Sequence, residues 1–78
     1  MTSQQLQDRI LERLASRGAC GPFILADELD EAPFRILAEL KELDRQHYTH
    51  EHPRFTRLWR ITPRGRARIN SRDQLKVF

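Results

Sequence analysis

The sequence predicts a mainly helical α+β domain, with a three-helix core, a β-hairpin and a short last helix. Two observations along the chain support this fold class. Apolar residues recur at helical spacing through the first half, with interruptions near Gly18 and Pro33. Residues 48–62 are instead rich in β-branched and aromatic residues. The chain of 78 residues has room for one domain, which we assign to residues 1–78.

The first predicted helix spans about residues 3–17, where leucine and isoleucine recur every three to four positions. Thr2 is the candidate N-cap, and Gln5, three residues later, is the matching partner of a capping box. Gly18 follows the last periodic residues and is typical of the position just after a helix. A turn is expected over residues 18–22.

Two further helices are predicted to follow after a short break. We expect a very short strand at Phe23, then a two-turn helix over residues 24–29. A longer helix is predicted over about residues 32–45, because Pro33 is well suited to a first helical position. Two helices separated by so short a break form a helix-turn-helix. The residues of the longer helix that share one apolar side, and that we expect in the core, are Ile36, Leu40 and Leu43.

The predicted hairpin has strands at residues 48–51 and 57–62, joined by a loop over residues 52–56. Strand alternation directs Trp59 and Ile61 towards the core.

A last helix is predicted from Pro63 to about Asn70, with Thr62 as its N-cap. We expect residues 71–78 to form a frayed tail.

Charge is unevenly distributed along the chain, although the net charge is only +3. Residues 1–23 carry a net charge of +1. Residues 24–46 carry seven carboxylates against three basic residues, a net charge of −4. Residues 47–78 carry eight basic residues against two carboxylates, a net charge of +6. A polyanion should therefore be attracted to the C-terminal part of the chain.

Two segments of the chain carry a resemblance to a known family. The first segment comprises Leu25-Ala26-Asp27-Glu28-Leu29 and then Pro33, Ile36, Leu40, Leu43 and Tyr48. The second segment is Trp59-Arg60-Ile61-Thr62-Pro63-Arg64-Gly65-Arg66. In order and spacing they resemble the helix-turn-helix and the second wing strand of bacterial and phage winged helix-turn-helix transcriptional regulators. The resemblance covers about residues 8–70 and implies binding to double-stranded DNA.

Two positions depart from the family pattern. His47 stands where these regulators usually have a glycine in the left-handed conformation, which histidine tolerates better than bulkier residues do. Glu31 stands where the turn usually offers an apolar residue to the core, so a more open turn is expected. The chain also lacks the extra helices through which larger relatives dimerise, which leaves a homodimer as an open alternative.

The resemblance implies that the longer helix enters the major groove. Its groove-facing candidates are Phe34, suited to a thymine methyl group, Arg35, suited to guanine, Ala38, which permits a close approach, and Lys41. Lys41 and Arg45 are better suited to phosphates.

The resemblance also implies contacts from the hairpin, and the last helix adds two candidate arginines. Arg54 and Arg57 would reach the minor groove or the phosphate backbone. Arg64 and Arg68 lie four residues apart on one face of the last helix, with Arg66 directed elsewhere. These four arginines make the wing region the stronger part of the predicted interface.

A second hypothesis is a protein-binding module. The longer helix lies in the acidic part of the chain and carries Phe34 and Leu37, whereas a helix that reads DNA is usually basic. On this interpretation Phe34 and Leu37 dock onto a protein partner.

The sequence offers no signature of catalysis, and we predict neither an enzyme nor a cofactor. The single cysteine, Cys20, cannot form an intramolecular disulfide and is interpreted as a small apolar filler, which fits a cytoplasmic protein. His47, His50 and His52 lack carboxylate or thiol partners at recognised spacing, so no metal site is predicted. The sequence also has no apolar run of membrane-spanning length, and no membrane contact is expected.

Overall fold

The computed structural model describes residues 2–52, 54 and 58–76, with side chains described up to residue 71. The elements in chain order are α1 (Ser3–Arg17), α2 (Pro22–Leu29), α3 (Pro33–Arg45), β1 (Thr49–Glu51), β2 (Trp59–Ile61) and α4 (Pro63–Lys76). The predicted mainly helical α+β architecture is confirmed. Within the described ranges, no helix is both long and apolar enough to cross a membrane.

Proline begins three of the four helices in this architecture. Pro22, Pro33 and Pro63 are the first residues of α2, α3 and α4. At a first helical position the amide hydrogen has no partner within the helix, so proline loses nothing there. Helix α1 begins instead with the predicted capping box, in which Thr2 and Gln5 exchange hydrogen bonds of 2.9 and 3.1 Å.

Helices α2 and α3 both end on a non-glycine residue with positive φ. Asp30 follows α2 with φ 55°, and the next amide, of Glu31, donates to the Ala26 carbonyl at 2.9 Å. His47 follows α3 with φ 66°, and the Tyr48 amide donates to the Leu43 carbonyl at 2.8 Å. Both ends are therefore Schellman motifs without glycine. The left-handed conformation predicted for His47 is confirmed.

The hairpin is antiparallel, with Thr49 opposite Ile61 and Glu51 opposite Trp59. A third segment joins it through Cys20, whose amide and carbonyl exchange hydrogen bonds of 3.1 and 2.9 Å with Trp59. The prediction of a short strand at Phe23 is therefore wrong. The bridge forms three residues earlier, and Phe23 lies in α2 because that helix already begins at Pro22.

The core lies where α1, α2 and α3 meet the hairpin. The buried apolar residues are Leu6, Ile10, Leu11, Leu14, Cys20, Leu25, Ala26, Ile36, Leu40, Leu43, Trp59 and Ile69. The predicted stripe of α3 is completely buried, and truncation of one such leucine to alanine typically costs about 2 to 5 kcal/mol. Trp59 is buried as predicted, and Ile61 packs on the core while remaining partly exposed.

Helix α4 continues to Lys76, six residues beyond the predicted end near Asn70, so the predicted helix end is wrong. The prediction ended the helix where the apolar pattern stops, but the following residues include no glycine or proline that would end it. Residues 77 and 78 lie outside the described part of the chain.

Thr62 fixes the start of α4 against the end of α3. Its hydroxyl accepts a hydrogen bond from the Gly65 amide at 3.1 Å, which confirms the predicted N-cap. The same hydroxyl donates to the His47 carbonyl at 2.6 Å, and the Thr62 amide donates to the Tyr48 carbonyl at 3.0 Å. This arrangement brings α4 so close to the hairpin that only glycine fits at position 65. A Cβ atom there would overlap the Tyr48 carbonyl oxygen and lie 2.7 Å from Cγ1 of Ile61.

We expect Gly65→Ala to lower the free energy of unfolding by about 2 kcal/mol, because the added methyl group has no room. Helix propensity alone predicts the opposite sign, a gain of about 0.5 to 1 kcal/mol. Urea unfolding followed by circular dichroism measures the change. Ser71→Ala, at an exposed position of the same helix, is the matched control and should change stability by less than about 0.5 kcal/mol. Equal or greater stability of Gly65→Ala would contradict the close approach.

Candidate nucleic-acid interface

One face of α3 is exposed, and it is the face predicted to enter a DNA groove. Phe34, Ala38, Lys41 and Arg45 are all exposed, and their spacing of three to four residues places them in one row. The Phe34 side chain is 78% exposed, the largest value among the exposed large apolar residues of the described chain. Leu37 lies at the boundary, partly buried against the core. The structure therefore brings four of the five predicted contact residues of α3 into one row.

Arg35 lies beside this row and is held from within the protein. Its Nε atom lies 3.9 Å from Oε2 of Glu39, and the other carboxylate oxygen of Glu39 accepts a hydrogen bond of 3.1 Å from the Gln7 amide of α1. Glu39 and Gln7 are both buried. The carboxylate thus connects Arg35 to α1 and limits the directions in which its guanidinium group can point.

Arg45 is exposed but paired with an acidic neighbour one turn earlier. Its Nε atom donates to Oε2 of Glu42 at 3.0 Å, and the Gln46 amide donates to Oε1 of Glu42 at 2.8 Å. These hydrogen bonds, from Arg45 first and then Gln46, lower the pKa of Glu42 to about 2. Glu42 is therefore ionised at neutral pH and offsets the charge of Arg45. Lys41 makes no ion pair with any residue in the described part of the chain.

The hairpin places arginine side chains on its outer side. Arg54 is exposed, and its backbone amide donates to Nδ1 of His52 at 3.1 Å. Arg60 is exposed on β2, directly opposite His50 on β1. Arg57, predicted as a wing contact, lies outside the described residues.

The two predicted arginines of α4 have different surroundings. The guanidinium groups of Arg64 and Arg68 lie over the Tyr48 ring, at 5.2 and 5.0 Å from its centroid. Arg64 is exposed, whereas Arg68 also forms an ion pair of 3.0 Å with Asp8. The side chains of that pair are only 20% and 12% exposed. Arg68 additionally donates to Gln7 at 3.4 Å, so it serves the packing of α4 on α1.

Sequence reasoning missed the residues that organise these arginines. Asp8 and Gln7 are buried on α1, and Glu39 is buried on α3. The spacing of Arg35 and Glu39 was a signal for a local pair. Nothing in the sequence indicated the contacts of Gln7 and Asp8 with residues about 30 and 60 positions away.

The histidines near the hairpin do not assemble a metal site. Nδ1 of His50 lies 3.9 Å from Oδ1 of Asp44, beside a shallow cleft of about 360 Å³ that His47 and Arg60 also line. Among the residues that the structure describes, no three potential ligands of the histidine, cysteine or carboxylate type are grouped so as to hold a metal ion.

Solved structures with the same arrangement of helices and hairpin are transcription regulators. The transcriptional regulator Tm0710 from Thermotoga maritima superposes with a TM-score of 0.77 and 25% identity, covering 83% of this chain and 47% of that one. The winged helix-turn-helix fold is therefore confirmed. The MarR family transcription regulator SP03579 superposes with a TM-score of 0.69 and 26% identity, covering 94% of this chain and 54% of that one.

The likeness to these regulators confirms the resemblance to winged helix-turn-helix transcriptional regulators and agrees with the prediction that the chain is not an enzyme. The chain spans about half the length of the two regulators. No protein-family model matches the chain, and no curated protein matches it.

We expect Arg68→Ala to lower the free energy of unfolding by about 2 kcal/mol, because it removes the Arg68 guanidinium group from a mostly buried ion pair with Asp8. Arg66→Ala is the matched control, since Arg66 is exposed on the same helix, and should change stability by less than about 0.5 kcal/mol. Urea unfolding of both variants measures the difference. Equal stabilities of the two variants would contradict a packing role for Arg68.

Proposed function

We propose that this chain binds double-stranded DNA as the winged helix-turn-helix part of a transcriptional regulator. The observation that carries the proposal is the exposed row of α3 beside an arginine-bearing hairpin, in a fold shared with two transcription regulators. The net charge of +6 over residues 47–78 supports attraction of a polyanion to the hairpin and α4. In this proposal α3 lies in the major groove, and the hairpin contacts the minor groove or the backbone.

The residues of the proposed interface differ in how freely their side chains can reach DNA. Lys41 and Arg54 are exposed, and we assign them to phosphate contact together with Arg64. Ala38 permits a close approach of α3 to the bases, and Phe34 is suited to a thymine methyl group. We assign Arg35 to guanine contact with Glu39 beside it. The Glu39 carboxylate holds the guanidinium group of Arg35 in one direction and limits its movement.

The set of sequence-predicted contacts changes in two ways under this proposal. Arg68 is assigned to packing, because Asp8 and Tyr48 already hold its guanidinium group. Arg60 is added to the hairpin contacts, because it is exposed on β2. Arg57 remains a proposed wing contact.

Loss of DNA affinity with added salt is the main test. With about three phosphates neutralised, affinity for a random 30-base-pair duplex should fall roughly 40-fold between 50 and 200 mM salt. Lys41→Ala and Arg54→Ala should each make the slope of log affinity against log salt shallower by about one. Arg9→Ala, at an exposed arginine of α1, is the control and should leave the slope unchanged. Fluorescence anisotropy measures all four proteins. Absence of duplex binding at 50 mM salt would overturn the proposal.

Glu42→Gln should strengthen DNA binding about threefold to tenfold, because it removes a negative charge from the α3 surface and releases Arg45 for a phosphate. The gain should be clearly smaller when Glu42→Gln is added to Arg45→Ala than when it is added to the wild type, because only the loss of negative charge then remains. Anisotropy at 100 mM salt measures the affinities, and circular dichroism checks that the helix content is unchanged. A gain of equal size in the double variant would contradict the release of Arg45.

A further inference from the structure

An apolar groove lies between α2, the N-terminal turn of α3 and the hairpin. Its volume is about 490 Å³, and six of its seven lining residues are apolar. The lining residues are Pro22, Phe23, Pro33, Phe34, Leu37, Glu51 and Trp59. Trp59 is 3% exposed, whereas Phe34 and Phe23 are 78% and 62% exposed. The groove therefore combines a buried indole with two phenyl rings that the described part of the protein leaves in water.

Large aromatic side chains at the rim of a concave apolar surface are typical of protein interaction sites. Aromatic residues contribute much of the energy of interfaces when an occupant covers them. Two exposed phenylalanines on neighbouring helices line the same groove and so form more contiguous apolar surface than singly scattered exposed residues do. Neither phenylalanine belongs to the buried core.

The surroundings of the groove are acidic. Glu51 lines the groove itself, and an adjoining recess that shares Phe23 and Pro33 is lined by Asp27, Asp30 and Glu31. The side chains of these last three residues form no ion pair with other described residues. No lysine or arginine among the described residues lines the groove or the recess. An occupant that carries an apolar group next to a positive charge would therefore complement both the apolar groove and the acidic recess.

We propose that this groove binds a segment of a protein partner in which an aromatic or aliphatic side chain is flanked by lysine or arginine. The apolar side chain would lie between Phe23 and Phe34, over Trp59, and the flanking cations would face Asp27 and Glu31. The proposal rests on the groove and does not depend on DNA binding.

Two other occupants fit the charges less well. Nucleic acid would bring phosphates against the carboxylates of the recess, which repel them. A second copy in a two-fold symmetric contact would place the same acidic patch on both sides of the interface, so like charges would meet. A basic segment of a different protein avoids this like-charge repulsion in both cases.

The test uses a defined set of peptides and the only tryptophan of the chain as reporter. Decapeptides without tryptophan carry a central Phe, Leu or Ala and are flanked on both sides by either Lys or Glu. Titration is followed by Trp59 fluorescence in the absence of DNA, so failure here is distinct from failure of the proposed function. We expect the Phe- and Leu-centred, Lys-flanked peptides to bind at least tenfold more tightly than the Ala-centred or Glu-flanked ones.

Variants of the protein locate the binding site. Phe34→Ala and Phe23→Ala should each weaken binding at least tenfold, and because both rings are exposed the fold should tolerate the change. Ile24→Ala is the matched control, since Ile24 is an exposed apolar residue of α2 that does not line the groove, and it should bind as the wild type does. Asp27→Lys combined with Glu31→Lys should reverse the preference between Lys-flanked and Glu-flanked peptides.

Three outcomes would overturn the proposal. One is that Phe- and Leu-centred peptides bind no better than Ala-centred ones. Another is that Lys-flanked and Glu-flanked peptides bind equally well. The third is concentration-dependent self-association in sedimentation velocity that Phe34→Ala abolishes, which would assign the groove to a second copy of the chain.

Discussion

The rotation of α3 about its own axis is the constraint on which both candidate surfaces depend. Ile36, Leu40 and Leu43 are completely buried, so the opposite side of the helix must face outward. The hydrogen bond between Glu39 and Gln7 fixes the same rotation on the side of α3 that faces α1. A turn of the helix by even one residue would bury a charge or expose a leucine, and packing at core density resists both. The exposed row is thus a consequence of the core.

Internal pairing decides how much of the positive charge is available to a ligand. Arg68 is committed to Asp8, Arg45 to Glu42 and, more loosely, Arg35 to Glu39. Counting arginines in the sequence therefore overestimates the charge that an incoming phosphate meets. Lys41, Arg54 and Arg60 have no such partner among the described ion pairs, although Lys41 is a single cation on a largely acidic helix. A polyanion is consequently attracted more strongly to the hairpin than to α3.

The sequence predicted the features that depend on residues close together along the chain. The capping box at Thr2, the N-cap at Thr62 and the buried stripe of α3 follow from local spacing and were confirmed. Features that depend on distant residues were not predictable in this way. The pairing of Arg68 with Asp8 joins residues 60 positions apart, and the bridge between Cys20 and Trp59 joins residues 39 apart. The short strand predicted at Phe23 was wrong for the same reason, because nothing local indicates that the bridge to Trp59 forms at Cys20.

The two candidate surfaces share one side chain, so they cannot be occupied independently. Phe34 belongs both to the exposed row of α3 and to the rim of the apolar groove. A segment that covers Phe34 in the groove also occupies space that a DNA duplex needs to approach Ala38, one turn further along the helix. Occupancy of the groove and insertion of α3 into DNA are then mutually exclusive, while the hairpin arginines stay available in either state. A fold of this size can therefore couple a protein partner to DNA release through steric overlap alone, without a change of conformation.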